Sequence, residues 1–149
     1  MITRARFKAA ADQIPLPLET VGGIASAVLA QHVRRLGLPG WTRPAGSVLT
    51  GVGIALVIAA LRERGPGSLE APQALVTRGL HGRSRNPIYL GCTAIQLGLA
   101  GATRNAWMLA ACPVSAALLH RWVLREERWL RATFGDEYDA YCARVPRYV

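Results

Sequence analysis

Histidine and cysteine are too few and too scattered in this chain to build a metal centre. His32, His81 and His120 lie far apart, and Cys92, Cys112 and Cys142 have no ligand spacing. Neither a zinc site nor a Ser/His/Asp constellation can be assembled from them, and the cysteines read as small core residues in a reducing compartment. Acidic side chains are scarce too: nine Asp+Glu stand against 18 Lys+Arg in 149 residues, for a formal net charge of +9. A pI of about 10.7 brings a soluble nucleic-acid binder to mind. A further absence argues against it, because long stretches carry no charge at all and the arginines gather at their ends instead of along one helix face.

Hydrophobic residues make up 51% of the chain and fall into four blocks, over 18–33, 45–61, 87–103 and 106–124. Blocks of this length approach the thickness of a bilayer's hydrocarbon core. The first carries Gly23, Ala27 and Ala30 at helical spacing, which makes a packing face. The second is closed by Arg62-Glu63-Arg64. Only Arg104-Asn105 separates the third from the fourth, so these two form a helical hairpin with Trp107 near an interface. Pro113 gives the fourth either a plain kink or a gap through which a lipid tail reaches inward. Residues 1–13 bear Arg4, Arg6 and Lys8 among small apolar residues and read as a basic amphipathic lead on an anionic surface. Pro15, Pro17 and Glu19 interrupt the apolar core that a signal peptide requires.

With four spans, Arg34, Arg35, Arg43 and Arg104 fall on one side of the membrane and the other 14 of the 18 Lys+Arg on the opposite one. That bias puts both termini in the cytoplasm and the protein in the cell inner membrane. Beyond residue 124 the chain is charged and aromatic, as a helix leaving the membrane would be. The expected fold is all-α: an integral membrane helical bundle of about four transmembrane helices with a C-terminal cytoplasmic amphipathic helix.

Two polar motifs then lie on the same cytoplasmic side. Residues 75–91 read LVTRGLHGRSRNPIYLG, a basic loop that becomes a helix with Pro87 at its first position, where a missing N–H costs nothing. The free amides after Pro87, the helix dipole, Arg83 and Arg85 together favour an anionic group. The second motif is the pair Glu126-Glu127, followed by Arg128-Trp129-Leu130 and Phe134-Gly135-Asp136-Glu137-Tyr138. Adjacent helical residues point about 100° apart, so one carboxylate can face inward while its neighbour does not. Two readings stand side by side: a pocket for a zwitterionic or polyphosphorylated ligand, and a structural salt bridge from Glu126 or Glu127 to Arg83, Arg85 or Arg131.

Together with Leu75-Val76-Thr77, Gly79 and Tyr141, these residues resemble the membrane-embedded methyltransferases related to isoprenylcysteine carboxyl methyltransferase and the phospholipid N-methyltransferases. The resemblance covers residues 75–147 and implies a single domain over 1–149, with N-terminal helices in 1–74 and the cofactor-binding catalytic half in 75–149. It implies transfer of a methyl group from S-adenosylmethionine, leaving S-adenosylhomocysteine, to a lipophilic acceptor such as an isoprenylcysteine carboxylate or a phospholipid amine. Membrane lipids are the implied partners, with no nucleic acid and no metal.

Carried over, the cofactor-binding residues are Arg85, Asn86, Pro87, Tyr89 and Gly91 on one side and Glu126 and Glu127 on the other. Glu127, Tyr89 and Arg85 are the catalytic candidates, Glu127 as a base or Tyr89 through a water. Many family members have His where this chain has Asn86, and an amide cannot shuttle a proton near neutral pH. Tyr138 and Tyr141 read as interfacial anchors, with a cap over the cofactor as the alternative. The rival from another class is a non-enzymatic membrane scaffold that binds a lipid or partner through the same pocket.

Overall fold

Uncharged runs of Ala, Leu, Val and Gly, each closed by arginine or a turn, form helices in the computed structural model, which describes residues 18–64 and 74–149. In chain order these are α1 (Leu18–Val33), α2 (Thr42–Arg64), α3 (Pro87–Ala102) and α4 (Ala106–Phe134), then the polar α5 (Asp136–Arg144). No strand occurs among the described residues, and the fold is all-α as expected. The basic lead expected over 1–13 lies outside the described residues.

Two of the four expected spans, α2 with 23 residues and α4 with 29, are long and apolar enough to cross a membrane, at mean hydropathies of 2.0 and 1.3. At 16 residues each, α1 and α3 reach about 24 Å, short of a hydrocarbon core of about 30 Å. Only 17% of the apolar window of α2 and 28% of that of α4 is buried, whereas the core helix of a soluble protein buries most of its apolar face. Val48, Val52, Ile58, Val114 and Trp122 point outward while Thr20, Gln96, Asn105 and Ser115 are buried. Polar groups paired inside and apolar ones outside is the arrangement lipid favours.

α2 and α3 pack antiparallel through glycine. A Cβ on Gly53 would lie 2.8 Å from the Gly91 carbonyl, and one on Gly46 would lie 2.6 Å from that of Gly98. With backbones this close, Thr42 Oγ1 donates to Gly101 O at 3.2 Å. α1 lies on α4 by a similar device: Gly23 faces Ser115 with no room for a Cβ, and Ala27 is buried.

The hairpin turns at Arg104, and Asn105 caps α4 by accepting the Met108 amide at 3.2 Å while its Nδ2 donates to Ala27 O at 3.2 Å. α4 then runs without a break through Pro113 to Phe134, ten residues beyond the end of the expected fourth span. The segment after Leu124 loses its hydropathy but keeps Arg, Glu, Leu and Ala, which are good helix formers. At about 43 Å, α4 is longer than a hydrocarbon core of about 30 Å, and both glutamates lie in its polar last part.

Gly135, at φ +52°, ends α4 and turns α5 back. Here Tyr138, Tyr141 and Val145 pack with Leu75, Leu130 and Phe134. The two tyrosines are 1% and 3% exposed, which corrects their reading as interfacial anchors: they are the core that fastens the tail to the end of α4.

Candidate functional site

The loop before α3 is fixed to the end of α2. Gly79 adopts φ +61° and lies against the Glu63 carboxylate, where a Cβ would collide with Oε1. Both oxygens of Glu63 accept the Leu80 amide at 2.9 Å, and Oε2 also takes His81 Nδ1–H at 3.1 Å. The Ser84 amide closes the turn on Leu80 O at 3.0 Å. Pro87 then opens α3, with Asn86 at the N-cap and no side chain capping the first amides.

Arg85 draws the tail onto this helix start. Its amide donates to Pro146 O at 3.0 Å, and its Nη1 donates to Val145 O at 2.9 Å and Cys142 O at 3.3 Å. Its Nη2 and Nε both reach Glu127 Oε1, at 2.9 and 3.2 Å. Arg147 grips the same carboxylate from the other side, Nη2 to Oε2 at 2.8 Å and Nε to Oε1 at 3.0 Å. Ser84 Oγ and Asn86 Nδ2 donate to Arg147 O at 3.3 and 3.0 Å. Glu127 is thus buried between two guanidinium groups, which is what allows a carboxylate to remain there at all. Its hydrogen bond holds the Arg147 guanidinium above its ordinary range. Burial pushes the Tyr141 phenol up to about 12. It drives Tyr138 upward too, with the charge of Glu127 adding to the effect.

One residue earlier, Glu126 faces a different space. It accepts the Tyr89 hydroxyl on Oε2 at 2.9 Å and Arg64 Nη2 on Oε1 at 3.1 Å. These groups border a cleft of about 50 Å³ lined by Arg64, Leu75, Val76, His81, Arg85, Glu126, Leu130 and Tyr141. The Tyr141 hydroxyl donates to His81 O at 2.5 Å beside it. A larger apolar groove of about 230 Å³ lies at the start of α2, between Trp41, Leu49, Leu97 and Leu109. It carries no charged group, so the smaller cleft is the candidate for chemistry.

The helix turn of about 100° per residue divides the carboxylate pair. Glu126 and Arg85 line the cleft, and Tyr89 joins it through Glu126. Glu127 faces the tail, Asn86 anchors it and Pro87 is buried beneath. Gly91 sits farther along α3, against Gly53 and Val57 of α2. Of the three arginines considered as salt-bridge partners, Arg85 engages Glu127, Arg131 pairs with Asp139 and Arg83 is exposed. Sequence reasoning missed Glu63 and Arg64, which it read as a stop signal, His81, which it set aside as too isolated for a metal or catalytic constellation, and Arg147, which only the turn at Gly135 brings back. No group of acidic, His and Cys side chains among the described residues could hold a metal ion.

The family model described as phospholipid methyltransferase matches residues 41–137, from the start of α2 into α5. No curated protein matches the chain, and no solved structure does.

Proposed function

The chain belongs to the phospholipid methyltransferase family, and on that premise we propose that it methylates a lipophilic acceptor with S-adenosylmethionine at the cytoplasmic end of its helices. The observation that carries this reading is that two motifs some forty residues apart are bonded to each other twice, Tyr89 to Glu126 and Arg85 to Glu127.

The side chains at the cleft suit the cofactor chemically. Arg64 and Arg85 offer guanidinium groups to a carboxylate, Glu126 offers its charge to an ammonium or sulfonium, and Leu75, Val76, Leu130 and Tyr141 form an apolar wall for a purine. Ligand pockets of this kind hold about 300 Å³ or more, so binding requires the cleft of about 50 Å³ to widen. Parting Arg64 from Glu126 would open the Glu126 carboxylate to the ligand. The cofactor, when bound, supplies an electrophilic methyl group on a cationic sulfur. The protein's part is to orient that cation against Glu126 and to exclude water. Glu127 acts one step behind, by holding Arg85 and the tail in place.

Isothermal calorimetry on the detergent-purified chain tests this directly. S-adenosylmethionine and S-adenosylhomocysteine should bind at about micromolar Kd, and Glu126→Gln and Glu127→Gln should each weaken them at least about tenfold. A folded protein that binds neither would favour the non-enzymatic scaffold. The orientation is tested separately, by cysteine probes at Arg104 and Arg83, which should label from the outside and the inside respectively. Labelling of both from one side would overturn it.

A further inference from the structure

The apolar groove at the start of α2 lies at the end of the bundle away from the cleft, and the helix packing accounts for it. α2 and α4 each pack on α3, and among the described residues their backbones do not meet. The gap is lined by the small Gly46, Ala100 and Gly101 and by the large Trp41, Leu49 and Leu109. At about 230 Å³ it exceeds the roughly 150 Å³ that holds a benzene ring. It is too small for a turn of helix, which is about 10 Å wide and about 5.4 Å long and fills about 420 Å³. Its size and apolar lining suit a single hydrocarbon chain.

The surface around this groove is basic and has no carboxylate. No Asp or Glu stands between Glu19 and Glu63 or between Glu70 and Glu126, whereas Arg34, Arg35, Arg43 and Arg104 all fall at this end and are exposed. Hydrogen bonds lock the hairpin to the segment before α2. The Leu38 amide donates to Arg104 O and the Ala106 amide to Leu36 O, both at 3.0 Å, and Trp107 Nε1 donates to Arg34 O at 2.8 Å. Arg104 Nε reaches the carbonyl of Leu38, a lining residue, at 2.7 Å. Arg43 follows Thr42, another lining residue. Neither the Arg43 side chain nor the terminal nitrogens of Arg104 bond a described residue. On the orientation proposed above, these arginines run against the charge bias that sets it, and cations at headgroup depth attract anionic lipid. Trp41, 75% exposed, suits the same depth.

We infer that the groove holds one acyl chain of an anionic phospholipid, whose phosphate is taken by Arg43 and Arg104, in the leaflet opposite the cleft. This lipid is not a methyl acceptor. Its headgroup lies at one end of α2, and Glu126, bonded to Arg64, lies at the other, about 33 Å away. The site therefore stands whether or not the chain binds S-adenosylmethionine.

The test places the full chain in phosphatidylcholine vesicles and replaces about a tenth of the lipid by phosphatidylglycerol or phosphatidylcholine brominated in the acyl chains, which quenches nearby tryptophan. The Trp41 signal is the difference from Trp41→Phe. Brominated phosphatidylglycerol should compete for the site at least about tenfold better than brominated phosphatidylcholine, and less so in high salt. Arg43→Gln and Arg104→Gln should each reduce that preference about fivefold. Arg43→Gln breaks no bond among the described residues, so it decides the point if Arg104→Gln fails to insert. Ala45→Phe, at an exposed lining position, fills the groove and should remove the preference. Equal quenching by the two lipids in the unaltered chain, or a preference that survives Arg43→Gln or Ala45→Phe undiminished, would overturn the inference. Quenching by neither lipid, with a dimer seen by light scattering in detergent, would overturn it in favour of a second copy on this face.

Discussion

Between α2 and α3, Gly53 and Gly91 bring two backbones together by having no side chains, whereas at the end of α4 the buried Glu127 is held by the long side chains of Arg85 and Arg147. The first contact depends on shape. Lipid tails are as apolar as the helices, so burying apolar surface gains little there, and close approach with its dispersion and weak polar contacts does the work. The second depends on charge balance, since each ion has been taken out of water and survives only while its partners stay. An interface of the first kind fails when a side chain is added, while one of the second kind fails when a single group is lost.

The largest effect should come from breaking the charge balance. Glu127→Ala leaves two guanidinium groups facing each other in a buried site, and removal of one member of such a cluster costs about 3–5 kcal/mol. Denaturant unfolding in mild detergent, followed by circular dichroism, would register it, and a loss below about 1 kcal/mol would contradict the buried balance. Gly53→Leu should rank next, because the new side chain meets Gly91 O and the Ile95 amide, both backbone, and overpacking costs about 1–3 kcal/mol. Gly51→Ala is the control in the same helix. Its Cβ would meet nothing within 4 Å, so the substitution should stabilise by up to about 1 kcal/mol. If the two glycines responded alike, close approach would not be the basis of the contact.

Arg147→Ala should cost less than Glu127→Ala. Its side chain is 38% exposed and water screens what it contributes, while Arg85 still neutralises Glu127. A loss of about 1 kcal/mol is expected, together with faster proteolysis after Tyr141, because the substitution removes both side-chain bonds from the tail to Glu127 and leaves backbone carbonyls to hold it. Unchanged proteolysis would mean that α5 and the carbonyls of Val145, Pro146 and Arg147 secure the tail without that side chain.

The same comparison explains what could be read from the sequence. The limits of α1 and the start of α3 at Pro87 follow from hydropathy and from proline at a first helical position, both local signals. The carboxylate pair and Arg85 were visible as polar groups beside apolar blocks. Their division into a cleft-facing Glu126 and a tail-facing Glu127 was not, because it depends on the rotation of α4 and on a reversal at Gly135. The continuation of α4 past Leu124 was legible as a helix leaving the membrane, because hydropathy stops there but helix propensity does not; its end at Phe134 was not read. Gly46, Gly53, Gly91 and Gly98 stand seven apart on each helix, a pattern that could have predicted the α2–α3 contact.

The smallest expected effect lies in the tyrosine core that joins tail to loop, and it appears only at high pH. Tyr141 in the fold ionises near 12, above its unfolded value of about 10. Its neutral form is the one the fold prefers, so this contribution is fully present below about pH 10 and is lost as pH rises through about 12. Tyr138 is shifted in the same direction and should steepen the decline. Tyr141→Phe keeps the ring but deletes the hydroxyl that bonds His81 O, so it should cost about 1 kcal/mol at pH 8 and flatten the decline above pH 10. Tyrosinate absorbance and unfolding midpoints measured on the same samples would separate the two phenols. A decline equally steep in Tyr141→Phe would assign the alkaline transition to Tyr138 alone and leave the loop held by Glu63, not by the tail.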